Sequence, residues 1–124
     1  MSPGQPLPPS PLPSPAEDGA PLSAQEVWDL LQVRWQASYD LQLVQRRGRF
    51  YLQVMWAYLE QQSFPLDAEG YRSKLEELVG LLNGLGVASQ VRAWLRTTPD
   101  KPRLGRAMGL ALSIPAGRAS EFLL

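Results

Sequence analysis

The basic side chains of this chain are the residues whose spacing points most directly to a chemistry. With one neighbouring tyrosine they form two clusters, which comprise Arg46, Arg47, Arg49 and Tyr51, then Arg92, Arg96, Lys101, Arg103 and Arg106. Ten of the 12 cations are Arg, and the planar guanidinium of Arg suits the recognition of phosphate or carboxylate groups. If the two clusters share one face, they form an anion- or RNA-binding surface on which Tyr51 is a stacking platform.

The overall charge favours a simpler interpretation of these arginines. The 124 residues carry 12 Lys and Arg against 12 Asp and Glu. From Leu22 onward, 12 cations face 10 carboxylates, because Glu17 and Asp18 lie upstream, and the net charge there is only +2. Such a small value favours an ordinary solvated surface, and a protein as the partner rather than a nucleic acid.

The carboxylates offer a second chemistry. An acid–base active site requires two of Asp40, Glu60, Asp67 and Glu121 to converge in one pocket. The chain has neither Cys nor His, which removes thiolate chemistry, the commonest general base and the commonest nitrogen ligand of metals. We therefore expect no catalytic residue, no metal and no cofactor, and a carboxylate-dependent enzyme is the least favoured alternative.

The first 21 residues differ from the rest of the chain in composition. Eight of the 12 prolines fall within them, and this density prevents helix and ladder hydrogen bonding and favours polyproline II. We expect residues 1–21 to be a disordered leader and residues 22–124 to form a single domain. PxxP spacing offers a recognition motif as the alternative, although no basic residue flanks it.

Alternating apolar residues predict a β-hairpin near the middle of the chain. The apolar positions are Tyr39, Leu41 and Leu43 on one strand and Phe50, Leu52, Val54 and Trp56 on the other. A turn at Arg47-Gly48, or a four-residue loop from Arg46 to Arg49, preserves this alternation across the strands, whereas an odd loop sets apolar against polar residues. The predicted pairs are Leu43 with Leu52, Leu41 with Val54, and Tyr39 with Trp56.

Helical signals flank this hairpin. A capping box at Ser23 to Glu26 begins a first helix that ends near Gln36. Asp67 caps a long amphipathic helix that ends at the glycines around Gly86. The remaining elements are a short helix over 88–96, a third strand over 108–114 and a closing helix over 118–124. The sequence thus predicts an α+β domain of order α-β-β-α-α-β-α, with an antiparallel sheet of about three strands covered on one face by helices.

The sequence gives no sign of membrane insertion or secretion. No apolar run approaches the length of a membrane span, and no basic residue precedes Arg34. We expect a soluble cytoplasmic protein, and its oligomeric state stays open.

Four runs of sequence resemble a domain-of-unknown-function family (number 3067) of cyanobacteria and chloroplasts. They are YDLQL (39–43), YLQVMWAYLEQQSFPL (51–66), PRLGRA (102–107) and RASEFLL (118–124). The resemblance implies one small α+β domain with no assigned activity and no catalytic residues to transfer. We expect a non-enzymatic intracellular interaction or accessory protein, and the resemblance alone implies a housekeeping role or a link to photosynthetic complexes. Such a protein is expected to expose an apolar patch larger than monomers usually show.

Overall fold

The computed structural model describes residues 19–115 of the chain. The elements are helix α1 (Ala24–Trp35), strands β1 (Tyr39–Arg46) and β2 (Arg49–Tyr58), helices α2 (Ala68–Leu85) and α3 (Ala88–Thr97), and strand β3 (Met108–Ala111). The predicted α+β class and the order α-β-β-α-α-β are confirmed. The helix expected over 118–124, with Glu121, and most of the proline-rich leader lie outside the described residues.

The caps of the first two helices are those that the sequence predicts. The Ser23 hydroxyl oxygen accepts a hydrogen bond from the Glu26 amide at 3.0 Å, and the Asp67 carboxylate accepts one from the Gly70 amide at 2.8 Å. Each bond satisfies an amide that has no partner within its helix. At the other end of α2, Gly86 adopts a left-handed φ of 78°, which lets the chain turn directly into α3.

The three strands form an antiparallel sheet of order β1-β2-β3. Only Arg47 and Gly48 connect β1 to β2, with φ values of 53° and 76°. Two positive φ angles are typical of a type I′ turn, whose twist matches that of the strands it joins. The predicted two-residue turn is confirmed, as are the pairs of Leu43 with Leu52 and Leu41 with Val54.

The register changes near the end of the hairpin that is far from the turn. Tyr39 lies opposite Tyr58, so its predicted pairing with Trp56 is wrong. Between the two flanking pairs, β2 has two more residues than β1, which is a bulge in the ladder. The rings of Tyr39 and Tyr58 meet edge to face with centroids 5.6 Å apart. Trp56 is half-buried.

One face of the sheet packs against the helices and forms the core. The buried sheet residues include Leu41, Leu52 and Val54, none of them more than 2% exposed. The helices contribute Val27, Leu31, Tyr71, Leu75, Leu82, Val91 and Leu95. Because successive side chains of a strand point to opposite faces, the residues between the buried ones point away from this core.

Among the helices of residues 19–115, none is long and apolar enough to cross a membrane.

Candidate functional site

The face of the sheet that points away from the core, called the open face below, carries the candidate site. Its side chains are Gln42, Val44 and Arg46 of β1, Arg49, Tyr51 and Gln53 of β2, and Gly109 and Ala111 of β3. Tyr51 lies between Val44 and Ala111, and the next row consists of Gln42, Gln53 and Gly109. The open face is therefore polar or small except at Tyr51 and Val44.

Three arginines, called the Arg-rich tip, lie at the hairpin turn. They are Arg46, Arg47 and Arg49, and all three are exposed. With Tyr51 and Gln53 they line a shallow pocket of about 610 Å³. Within residues 19–115, none of the three forms an ion pair. The structure thus brings together the first of the two predicted clusters, including its tyrosine.

Lys101, Arg103 and Arg106, called the loop cluster, line a second pocket of about 570 Å³. Two backbone hydrogen bonds brace this loop: the Arg103 amide donates to the Arg106 carbonyl at 3.1 Å, and the Arg106 amide donates to the Arg103 carbonyl at 2.8 Å. Gly105 supplies the positive φ, 75°, that the turn between them requires. Arg103 and Arg106 therefore stand at the two ends of an ordered turn, and Lys101 precedes it.

The Arg-rich tip and the loop cluster lie apart. Arg49 is at the turn end of β2, whereas the loop cluster precedes β3, whose first residue Met108 pairs with Val54. Arg106 has the same strand parity as Met108 and Leu110, which pack against the core, and its pocket is also lined by Trp94 and Pro99. The structure therefore does not join the two clusters on the open face.

The structure places Arg92 and Arg96 apart from both clusters. Arg92 is 4% exposed and holds the Glu26 carboxylate in two bonds, Nε to Oε2 at 2.5 Å and Nη2 to Oε1 at 2.9 Å. Its Nη2 also donates to the Ala20 carbonyl at 3.0 Å, so Arg92 fastens α3 to the start of α1. Arg96 lies beside α1, where its carbonyl accepts a bond from Arg34. Neither residue extends the open face.

The candidate carboxylates each have a different structural partner. Asp40 forms an ion pair with Lys74 at 2.5 Å, and Asp67 caps α2. Glu60 binds Ser38. In the described part of the chain, no three acidic side chains gather where they would hold a metal ion. Among the described residues, Asp40, Glu60 and Asp67 thus each have a structural role, and Glu121 lies outside them.

The contact of Glu60 with Ser38 joins both ends of the hairpin to α1. The buried Ser38 hydroxyl accepts bonds from Trp28 at 2.8 Å and Gln32 at 2.6 Å. It donates to Glu60 at 2.8 Å, as does the Ser38 amide. Burial alone would raise the pKa of Glu60, but the hydrogen bonds from Ser38, the Glu60 amide and Gln32 together outweigh burial, and the pKa lies below its ordinary value. Sequence reasoning missed this cluster, since its members are scattered along the chain.

Tyr71 ties α2 to the first residue of β1. Its hydroxyl donates to the Tyr39 carbonyl at 2.7 Å. Burial raises the pKa of Tyr71 far above its ordinary value, and the negative charges of Asp40 and Glu60 raise it further. Tyr71 is therefore a neutral donor that positions the hairpin.

A profile of the family described as Domain of unknown function (DUF3067) matches residues 25–123. The chain belongs to this family. The DUF3067 match begins inside α1 and leaves the proline-rich start of the chain outside it. The family resemblance predicted from the sequence is thereby confirmed, whereas the range over cyanobacteria and chloroplasts stays a prediction. The comparison with curated proteins finds no match.

One solved structure resembles this DUF3067 chain over most of its length. It is the solution NMR structure of the Alr2454 protein from Nostoc sp. strain PCC 7120, with 40% sequence identity and a TM-score of 0.74. The similarity covers 83% of this chain and 98% of the Nostoc protein. The description of the family assigns no activity. The function of this DUF3067 domain therefore has to be argued from its own side chains.

Proposed function

We propose that this DUF3067 chain is a non-enzymatic binding protein whose Arg-rich tip and adjoining open face hold a polyanionic ligand. The observation that carries the proposal is the turn itself, where Arg46 lies directly opposite Arg49 and Arg47 has a φ of 53°. Like charges opposite each other across strands are unfavourable, and this turn favours Asn or Gly at the position of Arg47. Residues that break local folding rules in this way are typical of functional sites.

The local arrangement of charge outweighs the small net charge of the chain. The three guanidinium groups extend from two adjacent strands and a tight turn, and no acidic side chain occupies the described open face between them. Each guanidinium can donate two parallel hydrogen bonds to a phosphate or carboxylate. A concave surface lined by one sign of charge concentrates the opposite sign near it, whatever the total charge.

An apolar docking surface has less support. The large exposed hydrophobic residues of the described chain are Val33 (79%), Leu81 (40%) and Leu104 (77%). They lie on α1, α2 and the loop before β3, and single exposed residues of this kind are ordinary on monomers. This distribution favours the polar open face as the binding surface. The hypothesis of a link to photosynthetic complexes rests on the family resemblance alone.

Binding of fluorescently labelled inorganic polyphosphate to the full chain, followed by fluorescence anisotropy, tests the proposal. We expect the affinity to fall on the order of tenfold between about 50 and 200 mM salt, because three arginines release counterions from the ligand. Arg49→Gln should weaken binding, whereas Arg34→Gln, which removes the same charge from α1, should not. Absence of binding at the lowest ionic strength, or equal effects of the two variants, would contradict the proposal.

A further inference from the structure

The outer edge of β3 is a free sheet edge in the described part of the chain. β3 pairs with β2 on one side, and the other side has no strand beside it within residues 19–115. We infer that an extended acidic segment of another protein adds to this edge as a further strand, with its carboxylates held by the loop cluster and an apolar side chain against Trp94. The edge and the Arg-rich tip line different pockets, so the inference goes beyond the proposed function.

The backbone of β3 alternates between β2 and this free edge. The Leu112 amide donates to the Phe50 carbonyl at 2.9 Å, which fixes the residues that face β2. Because successive residues of an antiparallel strand point their backbone groups to opposite sides, Leu110 also faces β2, whereas Gly109 and Ala111 face outward. Within residues 19–115, the backbone of these two residues makes no hydrogen bond on the outer side. Two amides and two carbonyls are thus available to a partner.

The Gln90 side chain occupies the next outward position along this edge. Its amide nitrogen donates to the Ser113 carbonyl at 2.5 Å, and its amide oxygen accepts a bond from the Ser113 amide at 2.8 Å. One side-chain amide thus makes the two bonds that a residue of a neighbouring strand would make. Gly109 and Ala111, the two preceding outward residues, are both exposed. An extended peptide can supply their bonds, as it does where peptides add to the sheet edges of other proteins.

The side chains of β3 do not protect its edge. Natural edge strands usually carry Pro, a charge or a bulge that prevents pairing with another chain, and Met108–Ala111 contains neither Pro nor a charged residue. A Cβ added to Gly109 would meet only ordinary contacts, the nearest being the Leu52 carbonyl oxygen at 3.7 Å, and its φ is not positive. Neither packing nor conformation therefore requires glycine here, and glycine inside a strand often marks the close approach of another backbone.

The charge beside the edge favours an acidic partner. The loop cluster lines the same pocket of about 570 Å³ as Gly109 of β3 and Trp94 of α3, and its three cations are exposed. Asp100 is the single carboxylate among the described residues that line this pocket. A second copy of the chain would bring the same cations to the edge, whereas an acidic peptide complements them. Trp94 is half-buried and offers an apolar contact in the same pocket.

Anisotropy titrations of the full chain with a labelled octapeptide of alternating glutamate and valine test the choice of partner. The octapeptide should bind saturably, and the same peptide with lysine in place of glutamate should bind at least about tenfold more weakly. Arg106→Gln should weaken binding of the acidic peptide by about 2- to 5-fold. Leu104→Gln alters the same turn without a change of charge and should leave the affinity as it is. If polyphosphate binds and the acidic peptide does not, the inference is overturned while the proposed function stands.

Amide hydrogen exchange, followed by NMR of the full chain with the acidic octapeptide, tests whether the peptide pairs with the backbone. When about nine-tenths of the chain is bound, exchange at the amides of Gly109 and Ala111 should slow by about tenfold, because both amides are then hydrogen-bonded. The Gly48 amide, at the Arg-rich tip, should exchange at its original rate. Saturating peptide that leaves exchange at Gly109 and Ala111 unchanged, or that protects Gly48 instead, would overturn the inference.

Discussion

At position 47, the residue type that would stabilise the turn differs from the residue type that would bind the proposed ligand. A non-glycine residue in the left-handed region, here at a φ of 53°, costs about 1 kcal/mol, and Asn tolerates it better than Arg. We expect Arg47→Asn to raise the stability by about 0.5–1 kcal/mol, which is a few degrees in Tm, and to weaken polyphosphate binding. Thermal denaturation and anisotropy measure the two effects. Arg47→Lys keeps the charge and should keep the affinity for polyphosphate. An Arg47→Asn variant that binds polyphosphate as tightly as the wild type would contradict this interpretation.

Arg92 shows how far charge spacing along a sequence can mislead. Its place beside other cations predicts a binding surface, but its partner Glu26 is 66 residues away, and no local pattern identifies that pairing. We expect Arg92→Gln to lower the free energy of unfolding by about 1–3 kcal/mol, because the Glu26 carboxylate and the Ala20 carbonyl lose their donor. Urea denaturation measures this loss. Polyphosphate binding of the folded variant should not change, and a variant with full stability and lost binding would contradict the structural role.

The hairpin shows which parts of an element are predictable from sequence. Its turn and the pairs near it follow from alternation and from loop length, because a slip of one residue would move every apolar side chain to the wrong face. The pairing of Tyr39 with Tyr58 does not follow, since contacts from other elements fix that end of the hairpin. The Tyr71 hydroxyl and the Glu60 carboxylate position the residues around Tyr39. Tertiary contacts of this kind leave no periodic signal.

The Ser38 hydroxyl should be the main polar link between the hairpin and α1. Ser38→Ala leaves the Trp28 indole without its acceptor and removes one donor from the Glu60 carboxylate, and we expect it to lower the free energy of unfolding by about 1–3 kcal/mol. Urea denaturation of the variant measures the loss. Ser73→Ala, at an exposed serine of α2, is the matched control. Equal stabilities of the two variants would rule out this role for Ser38.

The same contact should make the stability depend on pH. The folded state lowers the pKa of Glu60 below its ordinary value of 4.5. Its ionised form therefore adds stability above pH 4.5, and this contribution disappears as the pH falls through the lower folded value. The difference in unfolding free energy between wild type and Glu60→Gln should be present at about pH 7 and shrink towards about pH 3. A difference that stays constant over this range would show that ionised Glu60 is not what Ser38 binds.

In the described part of the molecule, the helices cover one face of the sheet and leave the other face open. The sequence predicts which side chains share a face of the sheet, because strands alternate. It does not predict that the loop cluster lies apart from the Arg-rich tip and beside Trp94, since that depends on how the segment before β3 packs after an intervening pair of helices. The candidate site was therefore predictable as a set of residues at the turn, whereas its separation from the second basic cluster was not.

Chemical-shift mapping of the ¹⁵N-labelled full chain during titration with polyphosphate observes the proposed surface directly. The account predicts saturable shifts at the amides of Arg46, Arg47, Gly48, Arg49 and Tyr51, with little change in α1 around Arg34. These shifts should diminish as salt is added, because the contacts are with phosphate. An absence of shifts at the hairpin turn with excess polyphosphate at low salt, or shifts concentrated on α1 instead, would contradict it.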